Sequence, residues 1–266
     1  MNLNKLKNTF KKNGYVKINC IDKKKLATLK HSFAKMIEIS LKKNLNHSIK
    51  IKNKSKKINY LLNEGMILLE KKDHNHLSEL YDQIVKSSNY YDLISDTKIT
   101  TALNCLLERS SDENFYINSS SIRMDTPGIT PYVYGWHQDN KSNIKDSIFI
   151  QLWMPVFTDI TKDLGGLHIL EKSFMHDIKT THTKVEVEKL RKKKILRASP
   201  DVKILNKGLK LKEKVICCNL GQAILFNKKL MHKSGINSTK KKMRYVCASF
   251  YHDINNPKWQ FKKLLK

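Results

Sequence analysis

The stretch GWHQDN, residues 135–140, sets a histidine and an aspartate two positions apart, His137 and Asp139. In an extended chain side chains alternate between faces, so these two share one. An imidazole beside a carboxylate is a poor apolar surface but two-thirds of a metal site. A mononuclear iron centre that must also take oxygen and a co-substrate needs few protein ligands and several open positions. Two histidines and one carboxylate on one face of the metal meet that need. The third ligand must come from another strand end. His232 stands in such a place, after the apolar run 222–227 and before a Ser/Gly/Asn turn in LFNKKLMHKSGINS.

The same logic extends to a keto-acid co-substrate. A dicarboxylate that chelates iron through its keto acid leaves a second carboxylate away from the metal, and burying that charge calls for a fixed cation. Arginine suits it through two parallel hydrogen bonds. Arg244 opens the strand-like RYVCASFY, twelve residues past His232, and Ser234 can add a hydroxyl. The chain has only five arginines (Arg109, Arg123, Arg191, Arg197, Arg244), so those present are candidates for work that lysine cannot do. Arg123, in SIRMD, lies within a strand-like run where an unpaired charge is costly. It reads either as a surface salt bridge or as an anion-binding residue of the pocket. Gln138, Gln151 and Trp153 complete the substrate-pocket candidates. Gln138 points away from the ligands if its strand is regular, and Trp153 reads equally as core packing and as pocket wall.

These residues need elements to hold them. NGYVKINCI reads as a short strand, followed by a helix capped by Asp22 with Leu26, Leu29, Phe33, Met36 and Ile37 on its apolar face. Residues 42–58 are rich in lysine and asparagine and read as a loop. Helical patterns follow over 62–87 and 95–108, and HNH at 74–76 reads as solvated surface. From about residue 114 the period changes to short β-branched and aromatic runs separated by Gly, Pro, Asn and Asp. The expected fold is mainly β with flanking helices, a sandwich or barrel. A single domain over 1–266 is predicted, with a helical N-terminal region over 1–112, a β core at about 113–254 and a lysine-rich insert 178–213 containing RKKK. That insert is expected over the barrel mouth, either as a mobile lid that favours anionic substrates or as solvated surface whose lysines reflect compositional bias alone.

The chain is long enough for one sizeable core. No run of about 18 apolar residues marks a membrane span, and MNLNKLKNTFKKNGY lacks the apolar core of a secretory signal. Five cysteines (Cys20, Cys105, Cys217, Cys218, Cys247) form no CxxC pair and read as reduced thiols of a cytoplasmic protein. The net charge of +27 admits a nucleic-acid-binding protein. The basic residues, however, are nearly all lysine, the mark of compositional bias, and there is no recognition motif. A small-molecule partner is favoured over nucleic acid. The remaining alternative is a cupin-like metal enzyme that does not use a keto acid.

WHQD, then QLWMPVFTDITKDLGGLHILEKSFMH, then GQAILFNKKLMHKSGINSTKKKMR, with NGYVKI near the start, resembles the phytanoyl-CoA dioxygenase family of iron(II)/2-oxoglutarate oxygenases. The resemblance implies a double-stranded β-helix, a cupin-like jelly roll. It implies iron(II) held by His137, Asp139 and His232, and 2-oxoglutarate bound by Ser234 and Arg244. It implies O2 as oxidant and hydroxylation of a small metabolite. Two departures stand out. The family's Pro-Gly-Ser-His turn is EKSFMH here, and TKKK lengthens the segment from Ser234 to Arg244. Retention of Asp139 argues against the related halogenases, which replace this carboxylate with a small residue.

Overall fold

The computed structural model describes residues 1–19, 21–109, 115–128, 134–139, 147–182, 202–204 and 208–255. Its strands are β1 (Tyr15–Asn19), β2 (Phe115–Asp125), β3 (Phe149–Pro155), β4 (Leu167–Leu170), β5 (Thr180–His182), β6 (Val202–Ile204), β7 (Glu213–Ile216), β8 (Gln222–Asn227), β9 (His232–Ser234) and β10 (Arg244–Asp253). The helices are α1 (Leu3–Asn13), α2 (Lys23–Leu45), α3 (Lys54–Tyr60), α4 (Met66–Lys72), α5 (His74–Ile84), α6 (Ser88–Ile94) and α7 (Thr97–Leu107). Among the described residues no helix is long and apolar enough to cross a membrane.

The run FIQLWMP has no polar stripe because β3 is buried along its whole length. It is the middle strand of a five-stranded antiparallel sheet ordered β1-β8-β3-β10-β2. Ile150, Leu152 and Met154 point to one face, where Tyr245, Cys247 and Tyr251 of β10 join them. Leu29, Phe33 and Ile37 of α2, Tyr90 of α6 and Leu103 of α7 cover that face. On the opposite face Trp153, Ile224, Phe226 and Val246 meet Leu167, Ile169 and Ile216 of a three-stranded sheet ordered β7-β4-β9. Two antiparallel sheets with helices packed outside the larger one form the expected double-stranded β-helix.

Local rules explain most helix limits. Asp22, Asn53, Asp73, Ser87 and Asp96 each accept a backbone N–H at a helix start. The helix predicted over 62–87 is two, because Asp73 adopts extended backbone (φ −158) and caps α5 through the Asn75 N–H at 2.9 Å. The loop expected over 42–58 is shorter, since α2 runs on to Leu45 and α3 starts at Lys54. Helix α6 is not signalled by the sequence pattern. HNH opens α5 half-buried rather than solvated: His74 Nδ1 lies 3.5 Å from the Glu70 carboxylate, and His76 contacts the Asn44 amide at 3.3 Å. Cys105, Cys217, Cys218 and Cys247 are free thiols.

In the insert, β5 and β6 pair antiparallel. Of the predicted lid, 183–201 and 205–207 lie outside the described residues. Just before it, Lys172 takes φ +61, the left-handed region, ahead of the short turn Ser173–Met175. This is where the family pattern has glycine, whose missing Cβ makes that conformation free of strain. Lys172→Gly is therefore expected to stabilise the fold by about 1 kcal/mol. Chemical denaturation checks this, and an unchanged or lower midpoint would contradict it.

Candidate metal centre

Strand β9 is only three residues long, but it is tied on both sides. Ile169 and Leu167 of β4 face His232 and Ser234. On the other side the main chains of His137 and His232 form an antiparallel bridge, His137 N–H to His232 O at 2.9 Å and His232 N–H to His137 O at 3.0 Å. Among the described residues of the GWHQD stretch, pairing lasts for that one residue. The regular strand expected there is absent, and Asp139 sits in a 3-10 turn instead. The turn still brings its carboxylate to the same side as both rings.

His137, Asp139 and His232 offer ligand atoms that all lie within 4.8 Å of one another. Asp139 Oδ2 is 3.3 Å from His232 Nε2, and Asp139 Oδ1 is 3.8 Å from His137 Nε2. The ring centroids of the two histidines are 4.2 Å apart. Each Nδ1 faces a backbone carbonyl, Gly135 O at 2.7 Å for His137 and Leu230 O at 2.9 Å for His232. A carbonyl only accepts, so each Nδ1 carries the proton and each Nε2 turns a lone pair toward the cluster. Backbone carbonyls thus set the tautomer that a metal needs. Ser173 helps from behind, its hydroxyl accepting the Met231 N–H at 2.8 Å and fixing the residue before His232.

Burial sharpens the case. Burial pushes the Asp139 carboxyl up from the ordinary range, against the opposing effects of His137 and a Gln151 hydrogen bond. Burial also holds His232 well below the usual imidazole range, and the neighbouring His137 ring acts in the same direction. Without a cation the protein environment favours uncharged forms of both groups. A divalent metal reverses that preference by supplying the missing positive charge. Two neutral imidazoles and one carboxylate, three ligands on one side, fit iron(II) with open positions left over.

The cluster lies in a cavity of about 450 Å³ between the two sheets. Four of the predicted residues line it beside the ligands: Arg123, Gln151, Trp153 and Ser234. Trp153 is both pocket wall and core, 6% exposed. Gln138 is not a lining residue; its amide donates to Lys229 O at 2.5 Å and it is buried away from the cavity. Tyr81 of α5 and Phe250 of β10 also line the cavity. Neither is signalled in the sequence: a helix residue reaching a sheet pocket leaves no local mark, and Phe250 reads as one more apolar residue of a buried strand.

Arg244 departs from expectation most. It is 2% exposed and is not among the residues lining the cavity. Its Nε and Nη2 both contact Asp125 Oδ2 at 2.8 Å, and Nη1 donates to Gly165 O at 2.6 Å and Gly235 O at 2.7 Å. Gly165 adopts φ +90, and a Cβ there would stand 2.7 Å from Nη1, so glycine is required for the approach. The arginine is locked into the frame as a buried ion pair.

Two outcomes follow. Arg244→Ala takes the close cation from buried Asp125, leaving only Arg123 Nη2 at 3.8 Å, and is expected to lower stability by about 3–5 kcal/mol, measured by denaturant unfolding. A loss under about 1 kcal/mol, the scale of an exposed pair, would show that the pair is not buried as described. His232→Ala and Asp139→Ala are expected to weaken anaerobic iron(II) binding by more than the roughly 10–100-fold typical of losing a ligand's supporting partner. Calorimetry with folded variants checks this, and wild-type affinity in either would contradict it.

A cupin-like double-stranded β-helix with a His-Asp-His cluster between its sheets defines a non-haem iron oxygenase type of protein. The phytanoyl-CoA dioxygenase (PhyH) family model matches residues 10–246, and the chain belongs to that family. Its cofactors are iron and 2-oxoglutarate, with O2 as oxidant. Solved structures share the fold at low identity. The epimerase SnoN from nogalamycin biosynthesis, in complex with Fe3+, alpha ketoglutarate and nogalamycin RO, aligns at TM-score 0.59 and 12% identity over 94% of this chain and 83% of that one. AviO1 from Streptomyces viridochromogenes aligns at 0.54 and 13% over 96% and 97%. EctD from S. alaskensis with bound Fe aligns at 0.56 and 14% over 95% and 77%. No curated protein matches the chain.

Proposed function

We propose that the protein hydroxylates a small metabolite: a substrate C–H bond, O2 and 2-oxoglutarate yield C–OH, CO2 and succinate. The observation that carries this reading is the intact cluster, with the Asp139 carboxylate retained beside His137 and His232. A halogenating relative would need that position vacated for halide. Iron, when bound, supplies the redox chemistry that activates O2.

The chain's own residues do the rest. His137, Asp139 and His232 hold the metal by Nε2, carboxylate and Nε2. Gln151 lines the cavity beside Asp139 and favours the charged form of its carboxylate. Trp153, Leu167 and Phe250 wall the cavity with apolar surface, which excludes water and strengthens every polar contact inside. Substrates with an acidic group suit a cavity that Arg123 lines. Residues 1–266 are taken as one oxygenase domain. Support comes from β1, which belongs to the helical N-terminal region yet pairs with β8 as an edge strand of the large sheet.

The test is oxygen-dependent succinate release by iron-loaded protein across sugars, amino acids, phosphonates and acyl thioesters, with products identified by mass. The reading predicts substrate-stimulated succinate and a product heavier by one oxygen atom. Succinate release with an isomerised or cyclised product of unchanged oxygen content would exclude hydroxylation. Turnover independent of 2-oxoglutarate would exclude the reaction class.

A further inference from the structure

The metal cavity has a neighbour. A second cavity, of about 100 Å³, shares Tyr81, Arg123 and Tyr134 with it as common wall. Along β2 the two follow in order: Ser121 lines the metal cavity, Arg123 lines both, and Asp125 lines the side chamber alone. Helix α5 repeats that order. Tyr81 lines both spaces, while Ser78, Leu77 and His74, one and two turns earlier, line the chamber only. From Tyr81 back to His74 the helix rises about 10 Å. The Tyr134 ring centroid is 5.5 Å from that of His137, so the junction of the two spaces lies beside a metal ligand. The chamber is a side arm of the metal cavity.

Glu70 stands at the His74 end of this arm. Its side chain is 9% exposed, and its Oε2 is buried with no hydrogen-bond partner among the described residues. A buried carboxylate oxygen without a donor is costly to keep. Glu70 Oε1 is 3.5 Å from His74 Nδ1, longer than a good N–H···O bond, and the His74 side chain is 41% exposed, so solvent screens that contact. Asp125, the other carboxylate of the chamber, already has Arg244 as its close cation. The chain is specially shaped ahead of Glu70. A π turn, Leu61–Gly65, separates α3 from α4, and such turns are rare outside functional sites. Strand β10 fixes it: Asn63 Oδ1 accepts the Met243 N–H at 2.9 Å, and Leu62 O accepts the Tyr245 hydroxyl at 2.6 Å. Helix α4 leaves this fixed turn and carries Glu70 to the chamber.

We propose that the side chamber is a substrate subsite for a protonated amine, with Glu70 Oε2 as its acceptor. The proposal rests on the hydroxylation reading and narrows its substrate class to elongated metabolites. These place a cationic nitrogen roughly 10 Å, two helical turns, from the Tyr81 end of the arm. A neutral hydroxyl also donates, but the carboxylate charge and the aromatic walls of Tyr81 and Tyr134 favour a cation. The same molecule can carry the acidic group proposed above.

The test compares three six-carbon probes that differ only at one end. Protein loaded with iron(II) and 2-oxoglutarate, kept without oxygen, is titrated by calorimetry with hexylamine, 1-hexanol and hexanoate. On a chain of net charge +27 non-specific attraction favours hexanoate, so a preference for the amine reports a local acceptor. Wild type is expected to bind hexylamine about tenfold to a hundredfold more tightly than 1-hexanol. Glu70→Gln keeps the size and one acceptor oxygen, and is expected to lose that preference with 1-hexanol, iron(II) and 2-oxoglutarate affinities unchanged. Glu70→Asp keeps the charge one methylene further back and is expected to fall between them; it also serves if Glu70→Gln does not fold. A wild-type preference in folded Glu70→Gln overturns the proposal. So does wild-type protein that binds the alcohol or the acid as tightly as the amine, or that binds none of the three. No turnover occurs in these titrations, so the subsite is decided separately from the hydroxylation reading, which stands or falls on succinate release and product mass.

Discussion

Two backbone hydrogen bonds between His137 and His232 make the centre. They join a segment with almost no regular structure to a three-residue strand and place two histidine Cα atoms opposite each other. From there the Nδ1 protons have carbonyl partners, Gly135 O and Leu230 O, and both Nε2 atoms turn inward. A bridge of one residue, joined by a bond from the Ser234 N–H to Tyr134 O at 3.0 Å, is weak by itself. It holds because β9 is also bonded to β4, and because the Met231 N–H is anchored by the buried Ser173 hydroxyl. The ligands sit on short elements whose positions are fixed by the larger fold.

That fold depends on the large sheet being covered on both sides. β3 and β10 carry apolar residues alternately to the helices and to the small sheet, so neither strand can slip by one residue without exposing one core and crowding the other. The polar residues Gln151 and Ser121 occur only where the inner face meets the cavity. At the far end of the ladder the Asp125–Arg244 pair closes the space with charge instead of hydrocarbon. Its bonds to Gly165 and Gly235 carbonyls tie β10 to the turn before β4 and the one after β9. A buried pair of this kind specifies one arrangement of three segments more than it adds stability.

How far the sequence speaks differs from residue to residue. The ligands are legible because their chemistry is rare: His137, Asp139 and His232 have side chains that an apolar strand end would not otherwise carry. The all-apolar β3 and the alternating helix faces are legible because burial imposes a period. What stays hidden depends on distant neighbours. Nothing local to Arg244 says that Asp125 awaits it across the ladder, and Tyr81 reaches the cavity from a helix whose own pattern shows only an ordinary core face. The one-residue bridge at His137 reads as a strand because alternation cannot tell one paired residue from five. HNH reads as solvent-facing because the Glu70 and Asn44 contacts depend on how α4 and α2 pack.

The central claim is that His137, Asp139 and His232 bind one iron through Nε2, carboxylate and Nε2. The most direct measurement is a crystal structure of the protein grown without oxygen with iron(II), with data collected on both sides of the iron absorption edge. The account predicts one anomalous peak per chain at bonding distance from those three atoms, with Gly135 and Leu230 carbonyls still on the Nδ1 side. A peak held by other residues, or either histidine facing the metal through Nδ1, would contradict it.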